Sequence, residues 1–125
     1  MMKRELKILL VEDELPIAML MERQLEDIGY EIHSHVTSGQ KALDNARENQ
    51  PDVILMDIRL AGSIDGIEVA KRIISSNHKP PAIIFVTGYA DEATRERAAQ
   101  LNTQGFFVKP MNPEELKPIL DRLIR

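Results

Sequence analysis

Five polar residues stand where apolar runs stop. Glu12 and Asp13 follow "ILLV", Asp57 follows "VILM", Thr87 follows "AIIFV" and Lys109 follows "GFFV". If these runs are parallel strands, all five groups meet at one end of a sheet. Three carboxylates brought together repel, and they need protonation or a cation. A hard divalent ion such as Mg2+ accepts one or two carboxylates together with water and phosphate oxygens. Lys109 and Thr87 suit phosphate oxygens, one by charge and one by a hydroxyl donor. The chemistry this set permits is phosphoryl transfer to a carboxylate, with Asp57 as the nucleophile. The metal and Lys109 would neutralise the equatorial oxygens, so that catalysis is positioning plus electrostatics. No separate base is required, because an ionised carboxylate is already a nucleophile.

The elements that must position these groups are legible as alternating patterns. Strand-like runs occur at 7–11, 32–36, 52–56, 82–86 and 105–108, with helical spacing between them. Leu15-Pro16 opens the first helix, whose face is read as Ala18, Met19, Met21, Leu25 and Ile28, and Gly29 stops it. "SGQKALDNARENQ" is a second helix closed by Gln50-Pro51. Asp65-Gly66 leads into a third with Ile67, Val69, Ala70, Ile73 and Ile74 towards the core. "DEATRERAAQLN" is a fourth, poor in apolar residues, with Ala93, Ala98 and Leu101 as core candidates. Asn112 and Pro113 start a fifth as N-cap and first helical residue.

Strand and helix alternate five times, which implies parallel strands joined by right-handed crossovers. The first, third and fourth runs are apolar on both faces, as central parallel strands must be. The second places Ile32, Ser34 and Val36 on one face and Glu31, His33 and His35 on the other, which suits an edge. An α/β, flavodoxin-like, doubly wound sheet of five parallel strands in the order 2-1-3-4-5, with five helices, fits the pattern. Ligands of such sheets sit beyond the carboxyl ends of the strands.

Composition bounds the reading. A chain of 125 residues with 43% hydrophobic and 29% charged residues is one globular domain, spanning 1–125. No apolar run approaches the about 18 residues that cross a bilayer, and Met1 to Lys7 is too polar for a signal peptide. A cytoplasmic protein without a membrane contact is expected. The absence of cysteine removes disulfides, thiolate nucleophiles and paired-cysteine zinc sites. A formal charge of −4 argues against direct contact with nucleic acid. His33 and His35 have metal-binding spacing but no acidic partner nearby in sequence, and are read as solvated.

"ILLVEDE", "VILMDIRL", "DGIE", "VTGYA" and "FFVKP" together resemble the motif set of response regulator receiver domains of two-component phosphorelays. The resemblance covers nearly the whole chain. It implies that Asp57 is the phosphoacceptor. Mg2+ (or Mn2+) would be held by Glu12, Asp13, Asp57 and the backbone carbonyl of Arg59. Thr87 and Lys109 would contact the phosphoryl group, Thr87 and Phe106 would form the switch, and the Lys109-Pro110 peptide would be cis. Arg59 and Tyr89 occupy positions that influence the lifetime of the phosphorylated state in this family. The phosphoryl donor would be a phosphohistidine on a sensor histidine kinase or histidine phosphotransfer protein. Such a domain is no ordinary enzyme, since it catalyses its own phosphorylation and slow dephosphorylation. It would act free-standing, or as an excised N-terminal receiver, by docking onto a downstream protein. The fourth helix, fifth strand and fifth helix would change conformation, and the same face offers a route to a homodimer.

Three departures stand out. "DIRLAGSIDG" lacks the proline of the family's loop after the acceptor and is one residue longer. Asn102 replaces a usual glycine before the fifth strand, with a left-handed conformation expected. Phe106 carries no hydroxyl where many members have tyrosine. Rival readings fit less well. A haloacid-dehalogenase-type phosphatase needs an aspartate where Arg59 stands. A flavodoxin needs a hydroxyl- and glycine-rich phosphate loop where "VEDELP" stands. A degenerate receiver used only for interaction would not keep all five site groups.

Overall fold

The computed structural model describes residues 5–76 and 78–124; the start of the polar stretch read as no signal peptide, Asn77 in the "SNHKPP" loop, and Arg125 lie outside them. The chain runs β1 (Ile8–Val11), α1 (Leu15–Asp27), β2 (Ile32–Val36), α2 (Gly39–Asn49), β3 (Val53–Met56), α3 (Gly66–Ser76), β4 (Ala82–Thr87), α4 (Glu92–Ala99), β5 (Gly105–Val108) and α5 (Pro113–Leu123). All pairings are parallel, in the order β2-β1-β3-β4-β5. The expected flavodoxin-like fold is the one observed.

Alternation along the strands divides the core in two. Ile8, Leu10, Val53, Leu55, Ile84 and Val86 face α1 and α5, where Ala18, Met21, Leu25, Leu116 and Leu120 meet them. Leu9, Val11, Ile54, Met56, Ile83 and Phe85 face α2, α3 and α4. β1 and β3 are buried at every position, as strands covered on both faces must be.

Local chemistry fixes the helix ends. α1 closes in a Schellman arrangement: Gly29 adopts φ 94°, its N–H donates to the Glu26 carbonyl at 3.0 Å, and Tyr30 N–H donates to Leu25 at 2.9 Å. Ser38 Oγ caps α2 by accepting from Lys41 N–H at 3.2 Å. Asn112 Oδ1 caps α5 by accepting from Glu114 N–H at 3.0 Å, with Pro113 in the first turn as expected.

Several expectations need correction. Met19 is 62% exposed. α1 buries the narrower stripe of Ala18, Met21 and Leu25, and a residue 100° round from Ala18 points away from the sheet. Ala93 is likewise exposed, leaving Ala98 as the buried residue of α4 and Leu101 half-buried just beyond it. Ile32 and Val36 do not share a face. The register slips between Ile8↔Ile32 and Leu9↔Ser34, so Ile32 packs towards α1 and α5 whereas Val36 packs towards α2 and α3. Asn102 is not left-handed, because α4 runs out through right-handed Gln100, with Leu101 N–H bonded to Ala98. Among the described residues the left-handed non-glycine is Gln50, φ 47°, at the end of α2.

Candidate functional site

Each site residue is delivered by a strand end. Glu12 follows β1, and its N–H donates to the Val36 carbonyl at 3.1 Å. Asp57 follows β3, with its N–H on the Val11 carbonyl at 3.1 Å, so the two acidic strand ends are laced to their neighbours. Thr87 ends β4 and is fully buried. Its carbonyl accepts from Lys109 N–H at 2.8 Å, which anchors the lysine beside β4. The Lys109-Pro110 peptide is cis.

The side chains converge as the topology requires. Carboxylate oxygens of Glu12, Asp13 and Asp57 lie within 4.8 Å of one another. Glu12 is 1% and Asp57 6% exposed, whereas Asp13 lies open at the mouth. Lys109 Nζ bonds Glu12 Oε1 and stands 3.0 Å from Asp57 Oδ2. The second oxygen of each buried carboxylate is met by backbone: Glu14 N–H donates to Glu12 Oε2 at 3.1 Å, and Arg59 N–H to Asp57 Oδ1 at 3.3 Å. The Thr87 hydroxyl accepts from Tyr89 N–H at 3.4 Å, and it is the Thr87 carbonyl, not the hydroxyl, that is bonded to Lys109.

Charge balance here is incomplete, with three carboxylates set against one ammonium. Burial pushes the Glu12 carboxyl above its ordinary range, and the nearby Asp57 charge adds to this; Lys109 and the Glu14 N–H offset only part of it. For Lys109, burial pulls the ammonium down, but hydrogen bonds to Glu12 and Asp57 and their charges outweigh it and hold the pKa up. A close set of hard oxygen donors with surplus negative charge fits a small divalent cation. A carboxylate at the end of a buried strand, 3.0 Å from an ammonium, is a group of the kind that can take up a phosphoryl group.

The surroundings were less visible in the sequence. Gly66 packs against the Asp57 backbone so closely that a Cβ there would sit 1.9 Å from the Asp57 carbonyl oxygen. Gly66 N–H also donates to the Ile58 carbonyl at 2.8 Å and closes the loop after Asp57. Within that loop Gly62 adopts φ 112°, a conformation that favours glycine. Asp65 accepts from Glu68 N–H at 3.0 Å at the start of α3 and takes a two-pronged bond from Arg97 of α4, at 2.7 and 3.2 Å. Phe106 is half-buried, tilted against Phe85 with centroids 6.2 Å apart, and Arg95 lies over its outer face at 4.9 Å. The Arg59 guanidinium lies on the Tyr89 ring, joining the two segments that follow β3 and β4. Of the histidine pair read as solvated, His33 is exposed; His35 instead places Nε2 2.8 Å from the Glu12 carbonyl oxygen. No described helix is long and apolar enough to cross a membrane.

Residues 8–121 match the model of the family described as the response regulator receiver domain. The chain is 31% identical over 115 residues to the transcriptional regulatory protein PdtaR of Mycobacterium tuberculosis, covering 92% of this chain and 55% of that protein. It is 35% identical over 121 residues to the transcriptional regulatory protein ResD of Bacillus subtilis, covering 97% and 49%. It therefore spans about half the length of the curated relatives it matches. Among solved structures, the signal receiver domain of a modulated diguanylate cyclase from Desulfovibrio desulfuricans superposes with a TM-score of 0.84 at 33% identity, covering 95% of this chain and 93% of that one.

Proposed function

The chain belongs to the response regulator receiver domain family of two-component systems, and from that premise we propose that Asp57 accepts a phosphoryl group from a protein phosphohistidine. A carboxylate oxygen of Asp57 forms the new P–O bond while the P–N bond of the donor breaks and its electron pair returns to the imidazole. Support comes from the placement of Asp57 itself: a carboxylate 6% exposed, 3.0 Å from Lys109 Nζ, with oxygens of Glu12 and Asp13 within 4.8 Å.

Glu12, Asp13 and Asp57, with the Arg59 backbone carbonyl, would hold Mg2+ or Mn2+. Such an ion supplies positive charge against the phosphoryl oxygens during transfer. Lys109 adds a second cation, and moves from its carboxylate partners towards the incoming oxygens. Thr87 turns its hydroxyl from accepting the Tyr89 N–H to donating to the phosphoryl group. Phe106 repacks against Phe85 as Thr87 moves, and α4, β5 and α5 pass the change to a downstream protein. The donor is a sensor histidine kinase or histidine phosphotransfer protein.

Incubation with acetyl phosphate and Mg2+ followed by intact mass measurement tests this. One added phosphoryl group on the parent and none on Asp57→Asn is the expected result. Equal labelling of both, or none on the parent, would overturn it.

A further inference from the structure

β2 sends a side chain to the acidic site that none of the roles above employs. His35 Nε2 lies 2.8 Å from the backbone carbonyl oxygen of Glu12. A carbonyl only accepts, so this nitrogen carries the hydrogen and donates it. The bond stands where the parallel ladder runs out. Glu12 N–H still donates to the Val36 carbonyl at 3.1 Å, but β2 ends at Val36 and Ser38 already caps α2. A ring N–H therefore meets the Glu12 carbonyl where a continuing strand would have offered a backbone amide.

That carbonyl belongs to the peptide unit joining Glu12 to Asp13. The unit is planar, so fixing the direction of its C=O also fixes the bond that leads to the Asp13 Cα. The two acidic residues differ in what holds their side chains. Glu12 is gripped at both oxygens, by Lys109 and by the Glu14 N–H. Among the described residues no hydrogen bond holds the Asp13 carboxylate, which is exposed yet stays near Glu12 and Asp57. Its direction depends on its backbone.

We infer that His35 is a positioning residue for the metal site: by clamping the Glu12–Asp13 peptide plane, it keeps the Asp13 carboxylate aimed at the position a divalent cation would take between Glu12 and Asp57. This rests on the Mg2+-dependent phosphoacceptor reading given above. Partners that orient metal ligands without touching the metal are worth about tenfold or more in affinity.

Calorimetric titration with magnesium chloride alone, on the full chain, tests it, with urea midpoints measured alongside. His35→Leu keeps the bulk and drops the donor, His35→Ala drops both, and His35→Gln keeps an N–H donor on a flexible arm. The Leu and Ala variants are expected to bind Mg2+ about tenfold more weakly, while Gln recovers most of the loss and His33→Ala matches the parent. Parent-like Mg2+ affinity in His35→Leu, whatever its urea midpoint, would overturn the inference, because a purely structural role moves stability alone. So would a Gln variant as weak as Leu. A parent that binds no Mg2+ would instead bring down the phosphoacceptor reading, and this role with it.

Discussion

The Arg59 guanidinium lies 3.9 Å from the centroid of the Tyr89 ring. These residues stand two positions after Asp57 and Thr87, so the contact spans the gap between the ends of β3 and β4. Tyr89 is itself tethered, its hydroxyl donating to Asp91 Oδ2 at 3.2 Å. Stacked in this way, the pair is expected to restrict the approach of water to Asp57, the proposed phosphoacceptor. An exposed cation–π contact contributes about 0.5–1 kcal/mol, which corresponds to roughly two- to fivefold in rate. Arg59→Ala and Tyr89→Ala should each shorten the aspartyl phosphate lifetime by about that factor, and the double variant should lose little more. Decay of the labelled protein measures this, and additive effects would show that the residues act separately.

Gly66 and Gly88 provide a matched pair for stability. A methyl group at Gly66 meets the Asp57 carbonyl at 1.9 Å, whereas one at Gly88 has nothing within 4 Å. Gly66→Ala is expected to cost on the order of 3 kcal/mol in urea unfolding and to slow phosphorylation by displacing Asp57. Gly88→Ala should stay within about 0.5 kcal/mol of the parent.

The Asp65–Arg97 pair predicts a pH dependence. Burial raises the Asp65 carboxyl, but the Arg97 hydrogen bond, the Glu68 N–H and the Arg97 charge outweigh it and leave the pKa below the ordinary carboxylate range. A pKa lowered by folding adds stability that is fully present above the unfolded value of about 3.9. That stability disappears as pH falls through the lower folded value. The pair is partly exposed, with less than about 1 kcal/mol expected. Arg97→Ala should therefore be less stable than the parent at pH 7, and the difference should shrink as pH is lowered below about 4 in thermal melts.

α4 buries Ala98 and otherwise holds on through Arg97 to Asp65 and Arg95 over Phe106. So few apolar contacts give low local stability. Its amides should exchange faster than those of α3, and beryllofluoride with Mg2+ should change exchange chiefly across α4, β5 and α5. Changes confined to the loop around Arg59 would show that the signal stops at the site.

The sequence reveals much of this because parallel strands impose a simple geometry. Once "ILLV", "VILM", "AIIFV" and "GFFV" are neighbours, Glu12, Asp57, Thr87 and Lys109 must share one end of the sheet. What escaped notice lies in departures from regular period. A one-residue slip beside β1 turns β2 over midway, and nothing in "IHSHV" marks it, so His35 reads as solvated although it reaches Glu12. The Arg59–Tyr89 stack joins side chains 30 positions apart in the sequence on two loops, where no periodicity applies. Gln50 carried a signal for the helix end alone, since a residue before proline is driven from the right-handed helical region towards extended conformations, not towards the left-handed one it adopts. For Asn102 residue type misled: the close of α4 needed no left-handed residue there.

The hydrogen bond from Gly66 to Ile58 makes a closed ring of the segment between them. A residue gained inside a ring enlarges its rim and leaves the clasp where it was. Residues 60–64 can therefore differ in length and chemistry while Asp57 keeps its place.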